Sequence, residues 1–455
     1  MKENYSSTRN ACKLCAPLGA SIAYRGIEGC IPLIHGSQGC STYIRRYGIS
    51  HFREPIDIAS SNFTESSAIF GGQSNLNSAL VNVTRQYKPR AIGISSTCLS
   101  ETIGENIPMY LKQYQADQGK LPDEGIDAPE IFYASTPSYK GTHMDGFHEA
   151  VFSVIKQLAS QRHSACERRI NVIGGFVSTE DIRELHEILS SYGLPYTLLP
   201  DYSVSLDGSS WEEYQKLPEG GTLLDDIRRM NCAFGTVYFG KAVPKENNPA
   251  LWLERKYGIP SGTIDLPIGI SNTDSFFAEL ETITGKSMPD KWKNIRGRLA
   301  DAYIDGHKYC YGKKAIVYGD EDFVCALSSF LDEVGIIPVI AATGAASPSF
   351  HARIKAALKN CRFETEIMDD ADFSTILERA EKADADFVIG SSKGFYLAKN
   401  LEIPLVRCGF PIHDRIGGQR ILHLGYRGTL NLFDLVCNTL MREKQQSTKT
   451  GYSYI

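Results

Sequence analysis

The feature that most constrains this 455-residue chain is a structural unit that recurs along it. The unit consists of a short apolar strand, a turn of small residues, an amphipathic helix and a second apolar strand. Its clearest copy has apolar segments at 170–173 and 196–199, with helical apolar spacing between 180 and 192. Ser178 and Asp181 stand at the spacing of a helix-capping pair. Strands that alternate with helices predict parallel sheets covered by helices on both faces.

Further copies of this unit extend the prediction over the whole chain. One copy places strands at 91–95 and 131–135 around a helix that begins near Glu101, and another places strands at 315–318 and 337–340. We therefore expect an α/β fold with three doubly wound, Rossmann-like domains and parallel sheets. The expected limits are 1–165, 166–295 and 296–430 for the three domains, and 431–455 for a C-terminal helix and an extended tail.

The charge balance and the hydropathy argue against several functional classes. The chain has 48 basic and 53 acidic residues, so no positive excess favours nucleic acid or an anionic membrane as a partner. No apolar run approaches the roughly 18 residues of a membrane-spanning helix. The N-terminus lacks the apolar segment of a secretory signal. We expect a soluble, cytoplasmic protein in which most of the 12 cysteines are free thiols or metal ligands.

Three cysteines lie in turns rather than inside periodic apolar segments: Cys15, Cys40 and Cys98. Cys98 precedes the helix expected from Glu101, and the N-terminus of a helix favours a thiolate, the form that binds iron. The spacing matches neither a zinc site nor a ferredoxin, so buried free thiols remain the plainer interpretation. A cluster that takes four thiolates would need further ligands from a second chain.

The remaining cysteines give weaker signals. Cys12 forms a single C-x-x-C pair with Cys15, and Cys30 is another thiol close to the same segment. We expect the scattered cysteines to be buried or incidental thiols; these are Cys166, Cys232, Cys310, Cys325, Cys361, Cys408 and Cys437.

The three turn cysteines belong to a longer series of motifs that resembles a known family. The series includes Cys15-Ala-Pro-Leu-Gly-Ala, His35-Gly-Ser-Gln-Gly-Cys40, Ser96-Thr-Cys98-Leu-Ser-Glu101, Thr136-Pro-Ser138-Tyr and Gly425-Tyr-Arg-Gly. It resembles the β-subunit of nitrogenase component 1 of the MoFe-protein type over nearly the whole chain. The same kind of subunit occurs in nitrogenase-like reductases such as methylthio-alkane reductase.

The resemblance implies a role for each motif residue. Cys15, Cys40 and Cys98 match the β-side ligands of the P-cluster, an 8Fe–7S cluster shared with the α-type subunit. Ser138 matches a serine that ligates one iron of the oxidised cluster, and Tyr43 matches an aromatic residue between that cluster and the active-site cofactor. The docking site for an ATP-hydrolysing iron protein corresponds to three apolar residues that we expect to be exposed: Ile69, Phe70 and Ile103.

A pair of carboxylates suggests a second metal site. Asp301 and Asp305 are four residues apart in a helical stretch and share a face, which by itself is most simply a solvated face. The resemblance implies a divalent cation, iron or calcium, that joins two β-subunits through this pair and through the Arg53 carbonyl and Glu54 carboxylate of the other copy.

The resemblance also implies the partners and leaves the substrate open. It predicts an α2β2 heterotetramer in which the α-type subunit holds the active-site iron–sulfur cofactor, so this chain has no catalytic residue of its own. The substrate could be dinitrogen, another small molecule, or a methylthio-alkane whose C–S bond is cleaved. A cofactor-assembly scaffold and a metal-free α/β binding protein are the alternatives, and the three cysteines disfavour the scaffold.

The sequence departs from the family at one motif near the third cysteine: it has Gly104-Glu-Asn where the family has Gly-Asp-Asp.

Overall fold

The structure is a computed structural model that describes residues 11–117, 128–160, 169–359 and 363–448. The chain divides into two compact units. The first unit is Leu14–Thr263, and the second begins at Ile264 and includes residues 11–13. No helix among the described residues has the length and apolar character needed to cross a lipid bilayer.

The first unit contains two four-stranded parallel sheets. In one sheet the strand order is β2-β1-β3-β4, and in the other it is β6-β5-β7-β8. The strands are β1 (Cys30–His35), β2 (Ala59–Ser60), β3 (Ala91–Ser96), β4 (Glu130–Ala134), β5 (Ile170–Ile173), β6 (Tyr196–Leu199), β7 (Gly235–Tyr238) and β8 (Ser261–Thr263).

Ten helices accompany these sheets within the described part of the first unit. They are α1 (Ala16–Arg25), α2 (Gln38–Phe52), α3 (Glu65–Phe70), α4 (Gln73–Tyr87), α5 (Cys98–Thr102), α6 (Ile107–Asp117), α7 (His143–Leu158), α8 (Thr179–Ser190), α9 (Leu224–Arg228) and α10 (Pro249–Tyr257). Every residue of β1, β3 and β5 is buried, as expected for central strands with helices on both faces.

The second unit contains one five-stranded parallel sheet in the order β11-β10-β9-β12-β13. Its strands are β9 (Lys314–Gly319), β10 (Ile337–Thr343), β11 (Glu366–Met368), β12 (Phe387–Gly390) and β13 (Leu405–Arg407). Its helices are α11 (Ile270–Thr284), α12 (Asp290–Cys310), α13 (Glu321–Glu333), α14 (Phe350–Ala357), α15 (Phe373–Ala380), α16 (Phe395–Leu401) and α17 (Gly425–Ser447).

The predicted α/β fold class with parallel, Rossmann-like sheets is confirmed. The strands at 170–173 and 196–199 occur as predicted, and Ser178 forms a capping box with Asp181. The three-domain limits stay a prediction.

Two local predictions were wrong. The helix expected from Glu101 begins three residues earlier, because the capping box of Thr97 and Ser100 starts it at Cys98. The tail expected to be extended from 442 is helical as far as Ser447, where it continues α17. The last residues of the chain, 449–455, lie outside the described part.

Candidate functional site

Cys15 is the N-cap residue of α1. Pro17 follows in the first turn, where the missing N–H of proline costs no hydrogen bond and its fixed φ favours the helix. All ten residues of α1 are buried. The Cys15 side chain is therefore held at the end of a rigid, buried helix and is itself only half-buried.

Cys40 lies in the first turn of α2, which follows β1 after the turn at Gly36 and Ser37. The Ser37 hydroxyl donates to Sγ of Cys40 over 3.6 Å. A side chain at Gly36 would meet Thr97 at 2.3 Å, so only glycine lets these two turns approach each other so closely.

Cys98 is the first residue of α5, directly after β3. The Thr97 hydroxyl oxygen accepts from the amide of Ser100, and the Ser100 hydroxyl oxygen accepts from the amide of Thr97. The capping box fixes the turn, and the Cys98 side chain is exposed. The turns expected to carry Cys40 and Cys98 are the first turns of two helices.

Ser138 connects two of these cysteines. Its backbone N–H donates to Sγ of Cys98 over 3.3 Å, and its hydroxyl oxygen accepts from the amide of Ala16 over 3.1 Å. Ala16 directly follows Cys15, so one serine contacts the loops that carry both thiols.

The electrostatic environment of Cys15 shows that the whole predicted set converges. Burial raises the pKa of Cys15, and a hydrogen bond from Ser138 opposes this effect. The nearby Cys98 and Cys40 raise the pKa of Cys15 further, and a hydrogen bond from Tyr43 lowers it. Burial raises the pKa of Tyr43, and the charge of Cys15 raises it further. The structure thus brings together five residues that lie as far as 123 positions apart in the sequence, from 15 to 138.

Sequence reasoning missed the role of Glu101 in the support of this cluster. Its carboxylate accepts hydrogen bonds from the hydroxyls of Ser96, Ser135 and Tyr133, at 2.5, 2.6 and 3.2 Å. Burial opposes ionisation, but the donors from Ser135, Ser96 and Tyr133 hold the pKa of Glu101 below its usual value. The carboxylate ties α5 to the ends of β3 and β4. No sequence signal identified it, because its donors come from two separate strands.

A second carboxylate, Glu105, was noted in the sequence only as a departure from a family motif. Its Oε1 accepts from the amide of Gly72 over 2.7 Å, and its Oε2 lies 3.2 Å from Nε2 of His35. The Glu105 carboxylate therefore connects the end of β1 to the start of α4. His35 is thus a hydrogen-bonding residue, with Ser61 at 3.1 Å from its Nδ1.

The three residues expected to dock an iron protein differ in exposure. Ile69 is 74% exposed and Phe70 is 87% exposed at the end of α3. Ile103, which caps the C-terminus of α5, is half-buried. The expectation of three exposed residues was therefore wrong for Ile103, which is only partly exposed.

The four residues expected at a second metal site belong to different units. Asp301 and Asp305 are exposed on α12 in the second unit. Arg53 caps α2 with a left-handed φ of 64°, and Glu54 follows it as a half-buried residue. Burial raises the pKa of Glu54, as does the charge of Asp207. Within the part of the chain that the structure describes, no three His, Cys, Asp or Glu side chains of one copy are grouped to hold a metal ion.

One expectation about the other cysteines was wrong. Cys12 and Cys30 are buried, and burial raises the pKa of each to about 12. Cys232 is disulfide-bonded rather than a free thiol. Cys166 and Cys361 lie outside the described residues. The remaining scattered cysteines are buried free thiols, as expected; these are Cys310, Cys325, Cys408 and Cys437.

Comparison with known proteins gives a single family. Residues 15–441 match the family model described as nitrogenase component 1 type oxidoreductase. The chain is 36% identical to the nitrogenase molybdenum-iron protein beta chain of Clostridium pasteurianum, over 95% of this chain and 93% of that protein. It is 35% identical to the corresponding beta chain of Methanococcus maripaludis, over 97% of this chain and 96% of that protein.

Solved structures give the same result. A structure described as nitrogenase Cp1 at pH 6.5 superposes with a TM-score of 0.94 at 34% identity, over 100% of this chain and 98% of that chain. A second chain, from nitrogenase Cp1 at pH 5, shares the fold with a TM-score of 0.73 at 18% identity. From the family model, the sequence identities and the superposition, the chain belongs to the nitrogenase component 1 type oxidoreductases, as a subunit of the β-chain kind.

Proposed function

We propose that this chain is the β-type subunit of an α2β2 nitrogenase-type complex and holds one side of a P-cluster. The observation that carries the proposal is the convergence of Cys15, Cys40 and Cys98, with Ser138 in contact with the first and third of these loops. The proposal also rests on the relatives, which are beta chains of molybdenum-iron proteins.

The donor set fits an iron–sulfur cluster of the P type. Thiolates are the protein ligands that such clusters take, and three thiols with a serine hydroxyl form one side of a ligand set. Cys98 is exposed, and Cys15 and Cys40 are half-buried, so the thiols open to the outside of the unit where an α-type partner can supply the rest. Bound there, the cluster would supply one-electron transfer at low potential.

The protein's own part in this function is to fix its ligands. The helices α1, α2 and α5 begin at or within two residues of the cysteines, so each ligand side chain is held at the end of a helix. The capping box at Thr97, the hydroxyl of Ser37 and the amide of Ser138 orient two of the sulfur atoms. Hydrogen bonds to ligand sulfur are one means by which a protein sets the potential of such a site.

Electrons would arrive from an ATP-hydrolysing iron protein that docks near Phe70 and Ile69. Ile69 and Phe70 are consecutive apolar residues with 74% and 87% of their surface exposed, and contiguous exposed apolar surface can mark an interface. Tyr43 lies beside Cys15, and we assign it the position between the cluster and the partner's cofactor that the family resemblance implies. The substrate reduced in the partner is dinitrogen, in keeping with the molybdenum-iron proteins that the chain resembles.

The proposal includes a divalent cation, calcium or iron, between two copies of this chain. Asp301 and Asp305 stand one turn apart on the exposed face of α12, and carboxylate oxygens are the ligands of a hard cation. The Arg53 carbonyl and the Glu54 carboxylate of the second copy would complete the set.

The test of the proposal is the iron content of the complex purified with its α-type partner. Cys98→Ala should reduce the iron content and abolish substrate reduction, because one ligand is lost. Cys408→Ala, which changes a buried thiol of the second unit, is the matched control and should leave the iron content unchanged. Full iron content and normal turnover in Cys98→Ala would refute the assignment.

A further inference from the structure

Two buried thiols of the second unit lie in direct contact. Sγ of Cys310 and Sγ of Cys437 are 3.1 Å apart, although the residues are separated by 127 positions. Both residues are free thiols, with exposures of 0% and 7%. A disulfide bond has a length of about 2.05 Å, so a shift of about 1 Å separates this contact from a covalent bond.

The contact is fixed by close packing of α12 against α17. One turn before Cys310, an added side chain at Gly306 would meet the Phe433 ring at 2.4 Å and Sγ of Cys437 at 3.1 Å. One turn before Gly306 on the same helix, the Tyr303 ring packs on Phe433 with ring centroids 5.0 Å apart. Gly306 thus lets the helices approach until the sulfur atoms touch, and the aromatic pair holds them in place.

We propose that Cys310 and Cys437 are a redox-modification site that forms a reversible disulfide between α12 and α17 when a peroxide is present. The inference rests on the geometry of the second unit and is independent of the proposed electron-relay function. In a reducing compartment the pair persists as thiols, which is the state that the structure shows.

The reaction is balanced with peroxide as the oxidant. The thiolate of one cysteine attacks a peroxide oxygen, the O–O bond breaks, and a sulfenic acid and hydroxide form. The sulfur of the second cysteine then displaces the sulfenic oxygen as water, and the S–S bond forms. Two thiols and one hydrogen peroxide give one disulfide and two waters, so the two sulfur atoms lose the two electrons that the peroxide gains.

The surroundings of the pair favour Cys310 as the first thiol to ionise. The hydrogen bond between the two sulfur atoms lowers the pKa of Cys310 and raises that of Cys437. The attacking thiolate and its partner are then already in contact, so the second step needs no opening of the helix pair. A small oxidant suits the site, because Cys310 is fully buried and the access to the pair is through Cys437, which is 7% exposed.

The experiment treats the intact complex with limiting hydrogen peroxide under anaerobic conditions. The protein is then denatured, free thiols are alkylated, and the digest is analysed by mass spectrometry without reductant. We expect a peptide pair cross-linked through Cys310 and Cys437, whereas the buried free thiols Cys325 and Cys408 should be recovered in alkylated form. Recovery of both Cys310 and Cys437 in alkylated form would overturn the proposal.

A thermal measurement supplies a second readout that does not depend on activity. The cross-link closes a long loop, so the Tm of the second unit should rise by roughly 5 °C or more after peroxide and return after dithiothreitol. Cys310→Ser and Cys437→Ser should each abolish both the cross-link and the rise, and Cys408→Ser should keep both. If one of the two variants Cys310→Ser and Cys437→Ser fails to fold, the other provides the test. A rise in Tm after peroxide that persists in the folded variant would refute the assignment.

Discussion

Glu105 and His35 meet across 70 positions of the chain, with the carboxylate 3.2 Å from Nε2 of the imidazole and both side chains almost fully buried. Nδ1 of His35 lies 3.1 Å from the hydroxyl of Ser61, which accepts from the amide of Gly36. The carbonyl of His35 accepts from the Thr97 hydroxyl. The pair therefore connects the segment after Phe70 with the turns that precede Cys40 and Cys98.

The first prediction concerns the stability that Glu105 provides. Glu105→Ala leaves the buried amide of Gly72 and Nε2 of His35 without their acceptor, which should lower the free energy of unfolding by about 1–3 kcal/mol. Glu105→Gln keeps an acceptor for the amide of Gly72, so its free energy of unfolding should fall clearly less than that of Glu105→Ala. Chemical denaturation of both variants provides the measurement. Equal stability of Glu105→Ala and the wild type would show that these contacts contribute nothing.

The second prediction concerns the pH dependence that arises from His35. Burial lowers the pKa of His35, and its hydrogen bond to Glu105 offsets only part of this effect. The unfolded chain, with a histidine pKa of about 6.5, then binds the proton more readily than the folded chain does. The free energy of unfolding should therefore fall as the pH drops below about 6.5.

Glu105→Gln removes the charge that favours protonated His35, so its loss of stability between pH 7.5 and 5.5 should be steeper than that of the wild type. The measurement is denaturant unfolding at the two pH values. A variant whose stability changes less with pH than the wild type would contradict the sign of this argument.

The third prediction concerns the docking surface. Phe70→Ala should weaken productive association with the iron protein by about 1–3 kcal/mol, the range for an aromatic anchor in an interface. Its fold and iron content should not change, because the side chain is 87% exposed. Phe363→Ala, which removes another exposed phenylalanine from the second unit, serves as the control. The measurement is turnover as a function of iron-protein concentration for both variants. The same concentration dependence for Phe70→Ala and Phe363→Ala would exclude Phe70 from the interface.

The fourth prediction concerns the cation between two copies of the chain. Asp301→Asn combined with Asp305→Asn removes two negative charges from α12, so the non-cluster metal content of the complex should fall sharply. Glu378→Gln with Glu381→Gln removes the same charge from an exposed part of α15 and its cap, and should leave the metal content unchanged. Elemental analysis before and after chelation gives the answer. The same metal content in both double variants would mean that Asp301 and Asp305 form an ordinary solvated face.

The fifth prediction concerns Ser138. Ser138→Ala removes the acceptor of the Ala16 amide and the hydroxyl beside Cys15, while the backbone hydrogen bond to Cys98 remains. Iron should therefore be retained, but the spectrum and midpoint potential of the oxidised complex should change. Ser138→Thr keeps a hydroxyl and should resemble the wild type. An oxidised spectrum of Ser138→Ala that matches the wild type would exclude the serine from the site.

Much of the fold could be predicted because its signals are local. The strands at 170–173 and 196–199 and the capping box at Ser178 depend on residues within one unit of the chain. The predictions were less accurate where a helix begins or ends. The side chains of Thr97 and Ser100 determine where α5 starts, and the polar residues up to Ser447 continue a helix that apolar contacts establish earlier.

The parallel α/β class, the family and the three cysteines of the candidate site could be inferred from the sequence, because periodicity and motifs depend on residues that are close together in the chain. The folded structure was needed to show which distant residues meet. It placed Ser138 between two cysteine loops, aimed three hydroxyls at Glu101, joined Glu105 to His35 and brought Cys310 against Cys437. These contacts arise from the packing of helices and strands far apart in the chain, where a close approach such as that at Gly306 has no local signature.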